Sequence, residues 1–182
     1  MNPAAAARSL VLSAFFGFLA LGTHCIAHET DGKAPLASHI LKITGQVKKP
    51  VQYSVKDLKT LPSVSLKELM IVSKKGARAL KELKGVSVKT LIDRAEIISK
   101  TSGDSKKVLL VATATDGYQA LFSWNEVFNS PLGEGVLVIY EQGGRPVPDS
   151  EGEFLLVSAK DYMTGSRHVK WLTSIDVRKI ND

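Results

Sequence analysis

Two apolar runs constrain this chain most: Val108-Leu109-Leu110-Val111-Ala112-Thr113-Ala114 and Val136-Leu137-Val138-Ile139-Tyr140. Their length and their β-branched content predict buried strands. Asp116-Gly117 follows the first run as a tight-turn signal, so Tyr118 to Phe122 should return as its hairpin partner. Gly143-Gly144-Arg145-Pro146 marks a turn after the second run.

The rest of the pattern repeats this short-strand theme. Ile40 to Val47 alternates apolar and polar residues with a break at Gly45, and Pro50 cannot continue a central strand. Val64 to Val72 alternates again, and Phe154 to Ser158 and Val169 to Val177 supply two more strands. Three helices are inserted between them. Ser54 can cap Val55 to Leu61, which Pro62 stops. Ser87 can cap Val88 to Ile98, where Leu91, Ile92, Ala95 and Ile98 form one apolar face. Ser123 and Glu126 have capping-box spacing at a third, short helix. Helices do not alternate regularly with strands, so the expected class is α+β, a mixed β-sheet domain with a few inserted helices.

Residues 1–27 are set apart. Arg8 is their only charged side chain, and the apolar core Leu10 to Leu21 is too short to span a bilayer comfortably. Cys25-Ile26-Ala27 places small residues around a cut after Ala27. This is the pattern of a secretory signal peptide, and it implies a periplasmic or secreted protein. Cys25 is the only cysteine, and His24 stands where a lipid-attachment motif wants a small residue. Residues 28–38 read as a polar, flexible lead-in and residues 39–180 as the domain. A cut after Ala27 leaves a chain without cysteine, which suits an oxidising compartment and removes disulfides, thiolate ligands and cysteine nucleophiles.

Lysine and arginine total 24 against 18 acidic residues, a formal charge of +6 that falls by one when Arg8 leaves. The excess favours anionic ligands or surfaces. It is spread too evenly for nucleic acid, since no basic block is interleaved with aromatics. Ser-His-Asp arrangements, Walker-type loops and zinc-ligand spacings do not occur, and no metal site is expected.

The densest candidate site is Gly165-Ser166-Arg167-His168-Val169-Lys170-Trp171-Leu172. Guanidinium and ammonium donors suit anion oxygens, and glycine lets backbone amides approach them. Tyr162 could stack on a flat ligand while its hydroxyl donates. Ser73-Lys74-Lys75-Gly76-Ala77-Arg78 is a basic loop, either a solvated turn or the rim of an anion site.

Four stretches together resemble the molybdopterin-binding domain of the sulfite oxidase family, over about residues 39–180. They are Leu41 to Val47 with the Tyr53-Ser54-Val55-Lys56-Asp57-Leu58 helix start, Lys84 to Ile92, Ala114 to Tyr118 with Phe122-Ser123, and Gly165 to Leu172. The last is very like that family's G-x-R-x-V-K-W-L. The resemblance implies that fold, a molybdopterin cofactor held by the closing segment, and cofactor contacts at Arg167 and Lys170, with Gly165, Ser166 and His168 as neighbours. Tyr162 would line the mouth of that pocket.

The chain departs from the family where catalytic members carry a cysteine that ligates molybdenum. The matching stretch here is Leu69-Met70-Ile71-Val72-Ser73-Lys74, and Ile71 occupies the cysteine slot to within one residue; Met70, Ile71 and Val72 cannot replace a thiolate, and Ser73 could offer an oxygen only after a register shift. The expected function is therefore binding of a small anionic or pterin-like ligand without a cysteine-ligated metal, with an exported or membrane-bound protein as a possible partner. The alternative is a molybdopterin-dependent oxidoreductase with a non-cysteine metal ligand.

Overall fold

The two apolar runs are strands, and in the second the alternation is divided between two cores. A computed structural model describes residues 37–101 and 103–180. The proposed leader and most of the lead-in lie outside the described residues.

In chain order the strands and helices are β1 (Leu41–Gly45), β2 (Val51–Tyr53), α1 (Val55–Leu58), β3 (Val64–Ser73), β4 (Gly76–Ser87), α2 (Val88–Ala95) and β5 (Val108–Ala114). They continue as β6 (Gln119–Ser123), α3 (Trp124–Phe128), β7 (Val136–Gln142), β8 (Arg145–Pro146), β9 (Leu155–Ser158) and β10 (Leu172–Lys179). One sheet has the order β2-β1-β10-β5-β6. It is mixed, because β1 and β10 run parallel while β5 is antiparallel to β10. The other has the order β3-β4-β7-β8, with β9 also paired to β7. This is the expected α+β class.

Side-chain alternation explains why β7 reads as unbroken apolar sequence. Val136, Val138 and Tyr140 enter the larger core with Leu41, Ile43, Leu110, Phe122 and Phe154. Leu137 and Ile139 point the other way, into a smaller core with Leu69, Ile71, Leu80, Leu83 and Leu155. A strand buried on both faces has no polar face to show.

The three caps form as expected. Ser54 and Asp57 make a capping box, Ser87 Oγ accepts from the Thr90 amide, and Ser123 with Glu126 makes a second box. Each satisfies amides that a helix start leaves without partners. The helices end earlier than their apolar periodicity predicts. Leu61 and Ile98 fall outside α1 and α2.

The expected basic loop at Ser73–Arg78 is only a tight turn, and Ala77 and Arg78 already belong to β4, which the sequence pattern did not disclose. β4 pairs with β7 only over Leu83–Ser87, so the outer part of the β3–β4 hairpin projects as a two-stranded arm. Its apolar parity changes along the way. Leu66 faces Leu83, whereas farther out Leu69 faces Leu80. Glu82, with φ at 51°, stands between these pairs and marks where the ribbon turns over to keep its apolar face on the smaller core.

The last expected strand also starts late. Val169 exchanges backbone hydrogen bonds with Leu156, 2.9 and 2.8 Å, and so belongs to the second sheet. Leu172 onward pairs with β5 and β1 in the first. Trp171 is the corner, with φ at 49° and its amide bonded to the Glu151 carbonyl at 2.7 Å. His168 to Trp171 therefore lies where the chain crosses from one sheet to the other.

Candidate functional site

The crossing is preceded by a 3₁₀ turn, Thr164–Arg167, that is fastened to the hairpin arm. Thr164 Oγ1 accepts from the Val72 amide at 2.8 Å and donates to the Met70 carbonyl at 2.6 Å. It thus acts as a neighbouring strand for the free edge of β3. Gly165 allows this approach: a Cβ there would lie 2.8 Å from the Val72 oxygen and 3.0 Å from Ser73 Cβ. The neighbouring Ser166 carbonyl accepts from the Tyr118 hydroxyl at 2.7 Å.

Arg167 is engaged on all sides. Its Nε and Nη2 form a bidentate pair with Asp161 at 2.7 and 2.5 Å, and Nη1 reaches Glu126 Oε1 at 2.8 Å. The guanidinium lies 4.4 Å from the centre of the Phe122 ring. Its hydrogen bonds to the Asp161 carboxylate, outweighing burial, raise its pKa above the ordinary arginine value. Glu126 meanwhile keeps its other oxygen on the Ser123 amide at 2.7 Å. Arg167 thus pins the closing turn to α3, and two carboxylates more than balance its charge.

Lys170 and His168 point into a different environment. Lys170 Nζ lies 3.2 Å from Glu151 Oε1. Arg78, arriving from β4, reaches the same oxygen through Nη2 at 2.6 Å. Glu151 is 5% exposed. Burial opposes its charge, but hydrogen bonds from Arg78 and Lys170 prevail and hold its pKa below the usual carboxylate value. His168 Nε2 stands 4.0 Å from Glu151 Oε2, and both atoms are buried without a hydrogen-bond partner. Burial, aided by the Arg78 and Lys170 charges and opposed by Glu151, lowers the His168 pKa to about 4. The imidazole is neutral at pH 7.

The loop carrying Glu151 is seated by backbone contacts. Gly152, at φ 85°, brings its α-carbon against Trp171, where a Cβ would meet Trp171 Cα at 2.7 Å. Trp171 Nε1 donates to the Asp149 carbonyl at 3.2 Å. The buried acid is thereby fixed beside the closing segment.

Two hollows flank this cluster. One, about 260 Å³, is lined by Ile71, Ser73, Lys75 and Arg78. The other, about 230 Å³, is lined by Asp116, Tyr118, Gly165, His168 and Lys170. Tyr162 is fully exposed and, with Ser166, borders a third hollow on the Lys160–Met163 side. The structure therefore brings together Gly165, His168 and Lys170, and places Arg167, Ser166 and Tyr162 elsewhere around the turn. Glu151 and Thr164 were missed by sequence reasoning. The local signal for the buried acid was the Glu151-Gly152-Glu153 triplet just before an apolar run.

This donor set does not fit a thiolate-held metal. The chain's single cysteine is Cys25, and Ile71 is buried in the smaller core. Among the described residues no group of three histidine, cysteine, aspartate or glutamate side chains could hold a metal ion. The set does fit an anionic group. Lys170 and Arg78 converge on one carboxylate oxygen, and a buried polar pair lies beside them without partners.

A family model described as the oxidoreductase molybdopterin binding domain matches residues 28–181. No curated protein matches the chain. Among solved structures, the sulfane dehydrogenase SoxCD from Paracoccus pantotrophus is similar in fold, with a TM-score of 0.58 and 17% identity. That match covers 79% of this chain but only 39% of the SoxCD chain.

Proposed function

The chain belongs to the oxidoreductase molybdopterin-binding domain family, and from that footing we propose that it is an exported protein that binds an anionic or pterin-like ligand without a cysteine-ligated molybdenum centre. One observation carries this reading: Arg78 and Lys170 converge on a single point beside the closing turn, in a chain whose only cysteine is Cys25. Two cations held in a partly buried setting attract an anion more strongly than the same charges in water. Gly165 and His168 line the same hollow as Lys170. Arg167 holds the turn from behind, while Ser166 and Tyr162 form its outer side.

A molybdopterin ligand would bring a phosphate and a planar pterin, and Lys170 is the residue that would meet the phosphate. The second reading, a molybdopterin-dependent oxidoreductase with a non-cysteine ligand on the metal, keeps the same pocket. Exposed Met70, Leu121 and Met163 surround the closing turn with Tyr162, which supports docking of an exported or membrane-bound partner there.

Metal and pterin analysis of protein matured in its native host separates the two readings. Absence of molybdenum, together with a melting temperature raised by a small anion and no rise in Lys170→Ala, is the expected result. Molybdenum and pterin in stoichiometric amounts would overturn it in favour of the oxidoreductase. N-terminal sequencing of the exported protein should begin at His28.

A further inference from the structure

Glu151 occupies the place an external anion would take. Its Oε1 receives Arg78 at 2.6 Å and Lys170 at 3.2 Å, one cation from the hairpin arm and one from the closing segment. Neither cation is sealed in: their side chains are 47% and 34% exposed, and each borders its own hollow. Ser73 lines the first hollow and Gly165 the second, and the two residues are packed closely against each other. The acid itself is buried, and its second oxygen has no partner. A carboxylate held by a guanidinium and an ammonium offers the charge and oxygen geometry of a bound oxyanion.

We infer that Arg78 and Lys170 form an oxyanion site whose built-in competitor is Glu151. The inference rests on the anion-binding reading above and adds its regulation. A small inorganic oxyanion gains both cations only by drawing them off the carboxylate. With Glu151 ionised and His168 neutral, the cluster has a single net positive charge, so an arriving dianion meets a weakened field. Anything that moves Glu151 away, or neutralises it, opens the site.

Sulfate is the probe, because it does not titrate near neutral pH. Isothermal titration at pH 7.5 should find sulfate binding at least tenfold tighter in Glu151→Gln than in the wild type. Adding Arg78→Ala to Glu151→Gln should abolish the gain. If Glu151→Gln does not fold, Glu151→Asp decides, because its shorter side chain cannot hold both cations. At least threefold tighter binding is then expected. Wild-type binding that is unchanged or weakened in the folded variant overturns the competitor and leaves the anion site standing. Absence of sulfate binding in wild type and variant alike overturns both.

Discussion

Thr164 Oγ1 and the Val72 amide, 2.8 Å apart, join the closing turn to the free edge of the hairpin arm, and the same hydroxyl donates to the Met70 carbonyl at 2.6 Å. One side chain therefore satisfies a donor and an acceptor on an edge strand that, among the described residues, has no strand neighbour on that side. Thr164 is 5% exposed, so its removal leaves those groups poorly compensated.

Thr164→Val keeps the shape and loses the hydroxyl. It should cost about 2 kcal/mol in urea unfolding, within the usual range for stranding buried polar groups. Thr164→Ser should restore most of that. Hydrogen exchange at the Val72 amide should accelerate in the valine variant alone. Equal exchange in both variants would mean that the arm does not depend on this latch.

Arg167→Ala should be among the most destabilising changes at the site. It strands Asp161, whose side chain is 12% exposed, and removes one partner of Glu126. Losing one partner of a largely buried pair costs about 3 kcal/mol. Arg167→Lys should recover less than half, because an ammonium cannot make the bidentate contact. A double-mutant cycle with Asp161→Asn measures the coupling, and a value near zero would refute it.

His168 should make stability depend on pH. Its folded pKa, about 4, lies below the ordinary value of 6.5, so the unfolded chain takes up the proton first. The protein should therefore be fully stable above about pH 6.5 on this account and lose stability as pH falls toward 4, by roughly 3 kcal/mol over the window. Glu151 acts in the same direction at still lower pH, since its lowered pKa gives stability that is lost as it protonates. The difference between wild type and His168→Gln, followed by urea unfolding from pH 7 to 4.5, isolates the histidine. A pH-independent difference would contradict it.

Gly165→Ala should push the arm and the turn apart. The new Cβ would sit 2.8 Å from the Val72 oxygen, a backbone atom that cannot swing aside. A loss of about 1–3 kcal/mol is expected, as for other overpacked contacts. Small-anion binding should weaken as well, because the hollow lined by Gly165, His168 and Lys170 changes shape. Unfolding curves and anion titrations of the same variant test both parts.

Much of this fold is legible in one dimension because its signals are local. Ser54, Ser87 and Ser123 cap their helices through hydrogen bonds that span three residues, and the apolar runs of β5 and β7 announce burial wherever they pair. Membership of the family was likewise legible in Gly165 to Leu172, a contiguous stretch. β4 was hidden because its outer half alternates small, charged and apolar residues, and its parity turns over at Glu82. A period-2 reading fails where a ribbon twists to follow a core.

The sequence by itself determined the class of the domain, its caps, the position of the closing turn and the lack of any cysteine beyond Cys25. Only the tertiary structure decided which cations face an open site. Arg167 and Lys170 look equivalent in the sequence, yet Asp161 and Glu126 claim the first, while the second meets Arg78 at Glu151. The reason is physical: a charge takes its character from the partners that the fold brings to it, and those partners here come from far along the chain.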